Sequence, residues 1–132
     1  MKKIVLTILL CFVLCGCGKN NITIDEMMSQ FENGNLSVAD KQTIENDDLG
    51  FAPNVHSEAY SFVVENDMNA RLFYVEDKED LKQLKKYYDD LGSSSSLFYS
   101  HTYSKGNYLL QMNGQIAKST FEKYKKIVEK NA

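Results

Sequence analysis

Two stretches of extended pattern, each broken by a turn, flank one strongly amphipathic helix, and this arrangement limits the fold more than any other feature of the 132-residue chain. His56 to Val64 is rich in β-formers and Ala70 to Val75 is a second such run. The turn-like string Asn66-Asp67-Met68-Asn69 lies between them, so the spacing predicts an antiparallel hairpin. Asp77-Lys78-Glu79-Asp80 then opens a helix in which Leu81, Leu84, Tyr88 and Leu91 recur at steps of three, four and three. Lys82, Lys85, Lys86 and Asp89 face away from that stripe, and Gly92 suits the position just past the helix end. After a Ser93 to Ser96 connector, Leu97 to Tyr103, the turn Ser104-Lys105-Gly106-Asn107 and Tyr108 to Met112 read as a second hairpin.

Two more helices complete the pattern. Thr23 and Glu26 have capping-box spacing, Ile22 and Met27 are placed for a hydrophobic staple, and Ile24, Met27, Met28 and Phe31 form a stripe that Asn33-Gly34 ends. Ser119 and Glu122 repeat the capping spacing before Phe121, Tyr124, Ile127 and Val128. Between Leu36 and Phe51 the pattern is weak, with a short strand expected at Leu36 to Val38 and a helical turn after Asp40. The expectation is an α+β fold in the order α-ββ-α-ββ-α, its two hairpins joined into one antiparallel sheet with the helices packed on one face.

The beginning of the chain follows a different logic. Lys2 and Lys3 precede an apolar run from Ile4 to Leu14, and small Gly16 stands before Cys17. The run falls short of the roughly 20 apolar residues that cross a bilayer, which suits a removable leader rather than a spanning helix. The order Leu14-Cys15-Gly16-Cys17 resembles the lipobox of bacterial lipoproteins, with Leu three places before the modified cysteine and a small residue just before it. That resemblance implies cleavage between Gly16 and Cys17 and a diacylglycerol thioether on Cys17. The expected organisation is a leader at 1–16, a lipidated tether at 17–21 and one extracytoplasmic domain at 22–132. The expected location is the outer face of the cell membrane. An anchor at Cys15 would put bulky Leu14 at the cut and is rejected.

Cleavage would also leave no free thiol, because Cys11 and Cys15 depart and Cys17 is acylated, so the domain must be held by its core alone. Without Lys2 and Lys3 there remain 13 basic against 18 acidic side chains, a balance that disfavours nucleic acid. Lysine supplies nearly all the basic residues, with Arg71 the sole arginine, and asparagine is abundant; this codon bias suits a low-GC Gram-positive host.

The strings Asp77-Lys78-Glu79-Asp80-Leu81, Tyr88-Asp89-Asp90-Leu91-Gly92, Tyr99-Ser100-His101-Thr102-Tyr103-Ser104-Lys105, Gln111-Met112-Asn113-Gly114 and Phe121-Glu122-Lys123-Tyr124 resemble a group of small Gram-positive lipoproteins, some plasmid-borne. The resemblance spans residues 51 to 128. It implies the same address and carries over no chemistry, since that group has no established activity.

Candidate chemistry is sparse. His56 and His101 are the only imidazoles, and neither stands beside a nucleophile motif. His101 has the better claim, because strand alternation would put it with Leu97, Tyr99 and Tyr103 on one face. Such a row more often packs under helices than binds ligand. If uncovered, however, Tyr99, His101 and Tyr103 would form a recognition platform, since tyrosine joins a large apolar body to a polar tip. The acidic string Glu45 to Gly50 fails as a calcium loop, because Leu49 takes a ligand position and His56 stands where the bidentate glutamate is needed. No catalytic residue, metal ligand or cofactor is expected. Lys85 and Lys86 are placed to neutralise Asp89 and Asp90 one turn on.

The leading expectation is a membrane-anchored, non-enzymatic binding or protective module of the exclusion or immunity type. Its contacts would be the bilayer through Cys17 and a protein or peptide partner. Two alternatives are a hydrolase-like enzyme using His101 and a precursor whose leader, Leu9 to Gly16, resembles the apolar mating pheromones released by some Gram-positive lipoproteins.

Overall fold

A computed structural model describes residues 22–132, apart from the side chains of Asn46 and Asp47. The leader, Gly16, Cys17 and the tether lie outside the described residues. The first helix, α1 (Ile24–Asn33), starts as its sequence dictates: Thr23 Oγ1 accepts from Glu26 N at 3.1 Å, and Glu26 Oε2 accepts from Thr23 N at 2.8 Å. A cap of this kind stabilises a helix by about 1 kcal/mol. Ile22 packs on the same core as Met27. The left-handed residue that ends α1 is Asn35 (φ 59°), while Gly34 keeps a φ of −83°.

The weakly patterned region holds a strand that hydrophobic alternation could not reveal. β1 (Ala39–Thr43) is exposed along its whole length, and Asp40 has a φ of 51° where its pairing register shifts. This corrects the expected strand at Leu36 to Val38. The helical turn lies later, as a 3-10 turn at Asn46–Leu49. The first hairpin, β2 (Glu58–Glu65) and β3 (Met68–Tyr74), turns through Asn66 and Asp67, both left-handed, which suits the right-handed twist of its strands. α2 (Lys78–Ser94) follows, then β4 (Ser100–Lys105), β5 (Tyr108–Asn113) and α3 (Lys118–Asn131). All neighbouring strands are antiparallel, in the order β1-β2-β3-β5-β4, so the two hairpins join through β3 and β5.

The helices cover both faces of the sheet, which corrects the expectation of a single covered face. α1 and α3 enclose Phe62, Leu72, Leu110 and Met112, with Phe31, Phe62 and Tyr124 meeting at ring separations of 5.2–6.0 Å. α2 lies on the other face, where Leu81, Leu84 and Tyr88 pack with Ala59, Phe73, Val75 and Leu109. Period-2 alternation makes this necessary. Leu72 and Phe73, like Leu109 and Leu110, are adjacent and all fully buried, so each strand needs a cover on both sides. Each such side chain contributes about 1.5–3 kcal/mol on burial.

Two helix ends also differ from expectation. α2 runs through Gly92 to Ser94, and α3 begins at Lys118 behind Ala117, so Ser119 is an interior residue and no side chain caps this helix. The pairing of Lys85 with Asp89 at 2.7 Å, and of Lys86 with Asp90, forms as expected. Asp89 also accepts from Thr102 Oγ1 at 2.5 Å, tying α2 to β4.

Candidate functional site

Leu97, Phe98 and Tyr99 precede β4 rather than lying within it. Leu97 and Phe98 belong to a 3-10 turn at Ser96–Phe98, and all three side chains stand out from the surface, 87%, 61% and 50% exposed. Ser95 fixes the turn by accepting from Leu97 N through Oγ at 3.2 Å. Tyr99 is clasped at its backbone: a Cβ on Gly114 would lie 2.2 Å from Tyr99 O, and one on Gly92 would lie 3.3 Å from Tyr99 Cα. Glycine at these two places is therefore a matter of close approach. Gly92 does not stop α2.

The expected row of Tyr99, His101 and Tyr103 is not an open platform. His101 is 9% exposed, stacked on Phe121 at 4.9 Å with Tyr99 edge-on at 5.3 Å. Its Nε2 lies 2.7 Å from Ile116 O, and since a carbonyl only accepts, Nε2 carries the proton. Tyr103 is half-buried on the α3 side beneath Lys125 Nζ, 5.0 Å from its ring centre, and burial raises its pKa. Of the three, Tyr99 alone is exposed, with its ring edges facing Gly92 and Gly114. His56 is half-buried, with Nε2 3.1 Å from Ile44 O and its ring against Phe73.

Tyr99 forms part of the rim of a groove of about 500 Å³ that the sequence reading did not foresee. Its floor belongs to the α2 face of the sheet. One row of register partners on that face, Ala59, Phe73 and Leu109, is apolar and lies beneath α2. The parallel row one pleat away is polar across all five strands: Gln42, Ser61, Arg71, Gln111 and Thr102. α2 seals the first row and leaves the second partly open. The groove is floored by Arg71, Gln111, Asn69 and Asn113, with Leu97 and Phe98 in its wall.

Within it, Gln111 Nε2 donates to Ser100 Oγ at 2.8 Å. The Arg71 side chain donates to the Tyr88 hydroxyl at 3.4 Å, its only side-chain hydrogen bond among the described residues. Burial raises the Tyr88 pKa above 10, and the Arg71 charge acts in the opposite sense. Arg71 makes no ion pair among the described residues, although Asp67 stands at the groove margin. The sequence holds a partial signal, since Arg71 stands two places from Phe73 and Gln111 two places from Leu109, a polar residue on the same strand face as a core residue; that the two polar residues are neighbours follows only from the register.

The groove lies far from where the chain comes into the domain. Tyr108 Oη donates to Ile22 O at 2.6 Å on the α1 side, and a Cβ on Gly106 would stand 3.5 Å from Ala132 C, so both ends of the described chain meet at one end of β5. Asn113, Gly114 and Gln115 line the groove at the other end of that strand and on the opposite face. Among the described residues there is no group of three His, Cys, Asp or Glu side chains able to hold a metal ion, and no helix long and apolar enough to cross a membrane. No protein-family model, curated protein or solved structure matches this chain.

Proposed function

We propose that this chain is a membrane-anchored surface lipoprotein acting as a non-enzymatic binding module, of the exclusion or immunity type, with the groove beside Leu97 and Phe98 as its binding site. The lipobox-like Leu14-Cys15-Gly16-Cys17 supports the anchor, and two acyl chains hold a protein stably where one does not. The observation that carries the reading is the placement of the groove at the end of β5 remote from Ile22. A tether of four residues after the anchor, Gly18 to Asn21, leaves the Ile22 end beside the bilayer and turns the groove outward. Exposed Leu97 and Phe98 next to a polar floor match the mixed character of recognition surfaces. His101, on which an enzymatic alternative depends, spends its Nε2 proton on a carbonyl and touches aromatic rings.

A deletion strain tests this, challenged in turn for phage entry, conjugative uptake and bacteriocin sensitivity. Deletion is expected to change one of the three, with restoration by the wild-type gene and none by Cys17→Ser or by Leu97→Ser with Phe98→Ser. Labelled fatty acid should enter the wild type and be absent from Cys17→Ser. No phenotype in any challenge, or full restoration by both variants, sinks the proposal.

A further inference from the structure

Arg71 is the only arginine of the chain, and no other cationic side chain lines the groove. Its guanidinium carries five N–H donors in a planar fork, of which the Tyr88 hydroxyl takes one. Arg71 as a residue is half-buried, next along β3 on the same face as Phe73, and an anionic acceptor forms the stronger hydrogen bonds with such a fork. Asp67 does not supply that acceptor, since it forms no ion pair with Arg71. A single cation with a carboxylate at the margin suits a monoanion and opposes a dianion such as phosphate. Carboxylate is the monoanion whose two oxygens match the fork.

The remaining lining says what the carboxylate is attached to. Asn69 offers an amide that both donates and accepts, and Asn113, whose Oδ1 accepts from Gln115 N at 2.9 Å, keeps its Nδ2 donors, which is what a peptide backbone needs and what an alkyl chain cannot use. Leu97 and Phe98 stand ready to cover an apolar side chain, the more so because the Tyr99 clasp fixes their turn. Building on the groove as the binding site, we propose that its ligand is the free carboxyl end of a peptide with an apolar last residue. Arg71 takes the carboxylate, the asparagines take the last amides, and Leu97 and Phe98 close over the terminal side chain.

The full chain in phosphatidylcholine vesicles, titrated with fluorophore-labelled tripeptide pools ending in Leu, Ile, Val or Phe, tests this by fluorescence anisotropy. Each pool is used as the free acid and as the amide. The acids should bind at least about tenfold tighter than the amides, the difference expected from losing a charged acceptor. Arg71→Gln should bring the acids to the level of the amides, Arg71→Lys should keep part of the difference, and Leu97→Ser with Phe98→Ser should weaken both forms; thermal melts establish that each variant is folded. Equal binding of acid and amide, an undiminished difference in Arg71→Gln, binding of decanoate or inorganic phosphate in place of the pools, or no binding at all overturns the assignment. If no pool binds and Leu97→Ser with Phe98→Ser still fails to complement the deletion strain, the carboxylate falls and the binding module stands. If that variant complements in full, the groove itself is not the site.

Discussion

At Gly114 the backbone oxygen of Tyr99 comes so near that any side chain must displace main chain rather than a rotamer, because an added Cβ would stand 2.2 Å from it. Overpacking of this kind costs about 1–3 kcal/mol. Gly114→Ala should therefore lower the unfolding free energy by that amount in urea titration, and truncating the Tyr99 ring should not rescue it. Gly92 meets the same residue more loosely, at 3.2 Å from Cδ2 and 3.3 Å from Cα. It also sits inside α2, where alanine is favoured over glycine by about 1 kcal/mol. The two effects oppose each other, so Gly92→Ala is expected to lie within about 0.5 kcal/mol of the wild type. A result at Gly92 as severe as at Gly114 would show that the clasp is tighter at the helix than these separations imply.

Among the elements, α3 and β5 carry cross-ties whose chemistry is set by burial. Tyr124 donates to Ser37 O at 2.7 Å and Tyr108 to Ile22 O at 2.6 Å. Burial pushes the Tyr124 pKa up to about 12, and that of Tyr108 is raised still further. The fold thus favours the neutral phenols. Their contribution is complete below pH 10 and is progressively lost above it, through 12 for Tyr124 and beyond that for Tyr108, since there the unfolded chain binds fewer protons than the folded one. Thermal midpoints should fall over that range, and Tyr124→Phe should flatten the fall while costing about 1 kcal/mol at neutral pH for the lost hydrogen bond. A midpoint that holds steady to pH 12 contradicts this. The helices and hairpins were legible in the sequence because Leu81, Leu84 and Tyr88 state a helical period and the β-formers of His56 to Val64 and Ala70 to Val75 flank a turn. β1 was not, since Ala39-Asp40-Lys41-Gln42-Thr43 buries nothing and exists only through backbone pairing to β2. The second covered face was implicit in adjacent apolar pairs such as Leu109-Leu110. The groove was hidden because register, not local pattern, puts Arg71 beside Gln111.

The molecule as a whole has two distinct poles, with Ile22 and Ala132 at one and Leu97, Phe98 and Gly114 at the other. From Tyr108 to Gln111, the register partner of Arg71, the sheet rises by about 10 Å at 3.4 Å per residue. A bilayer's surface potential decays over a Debye length of about 8 Å at physiological ionic strength. On the proposed anchor at Cys17 and the proposed site at Arg71, a charged ligand would meet its site more than one screening length above the headgroups. Its association rate should be the same, within about a factor of two, on neutral vesicles and on vesicles rich in anionic lipid, whereas a site at the Ile22 pole would respond strongly to that change. Stopped-flow measurement on the two compositions reads this directly, and a severalfold difference would mean that the domain lies down on the membrane. On the proposed anchor and site, the height of Arg71 along the sheet decides whether lipid composition can govern ligand capture.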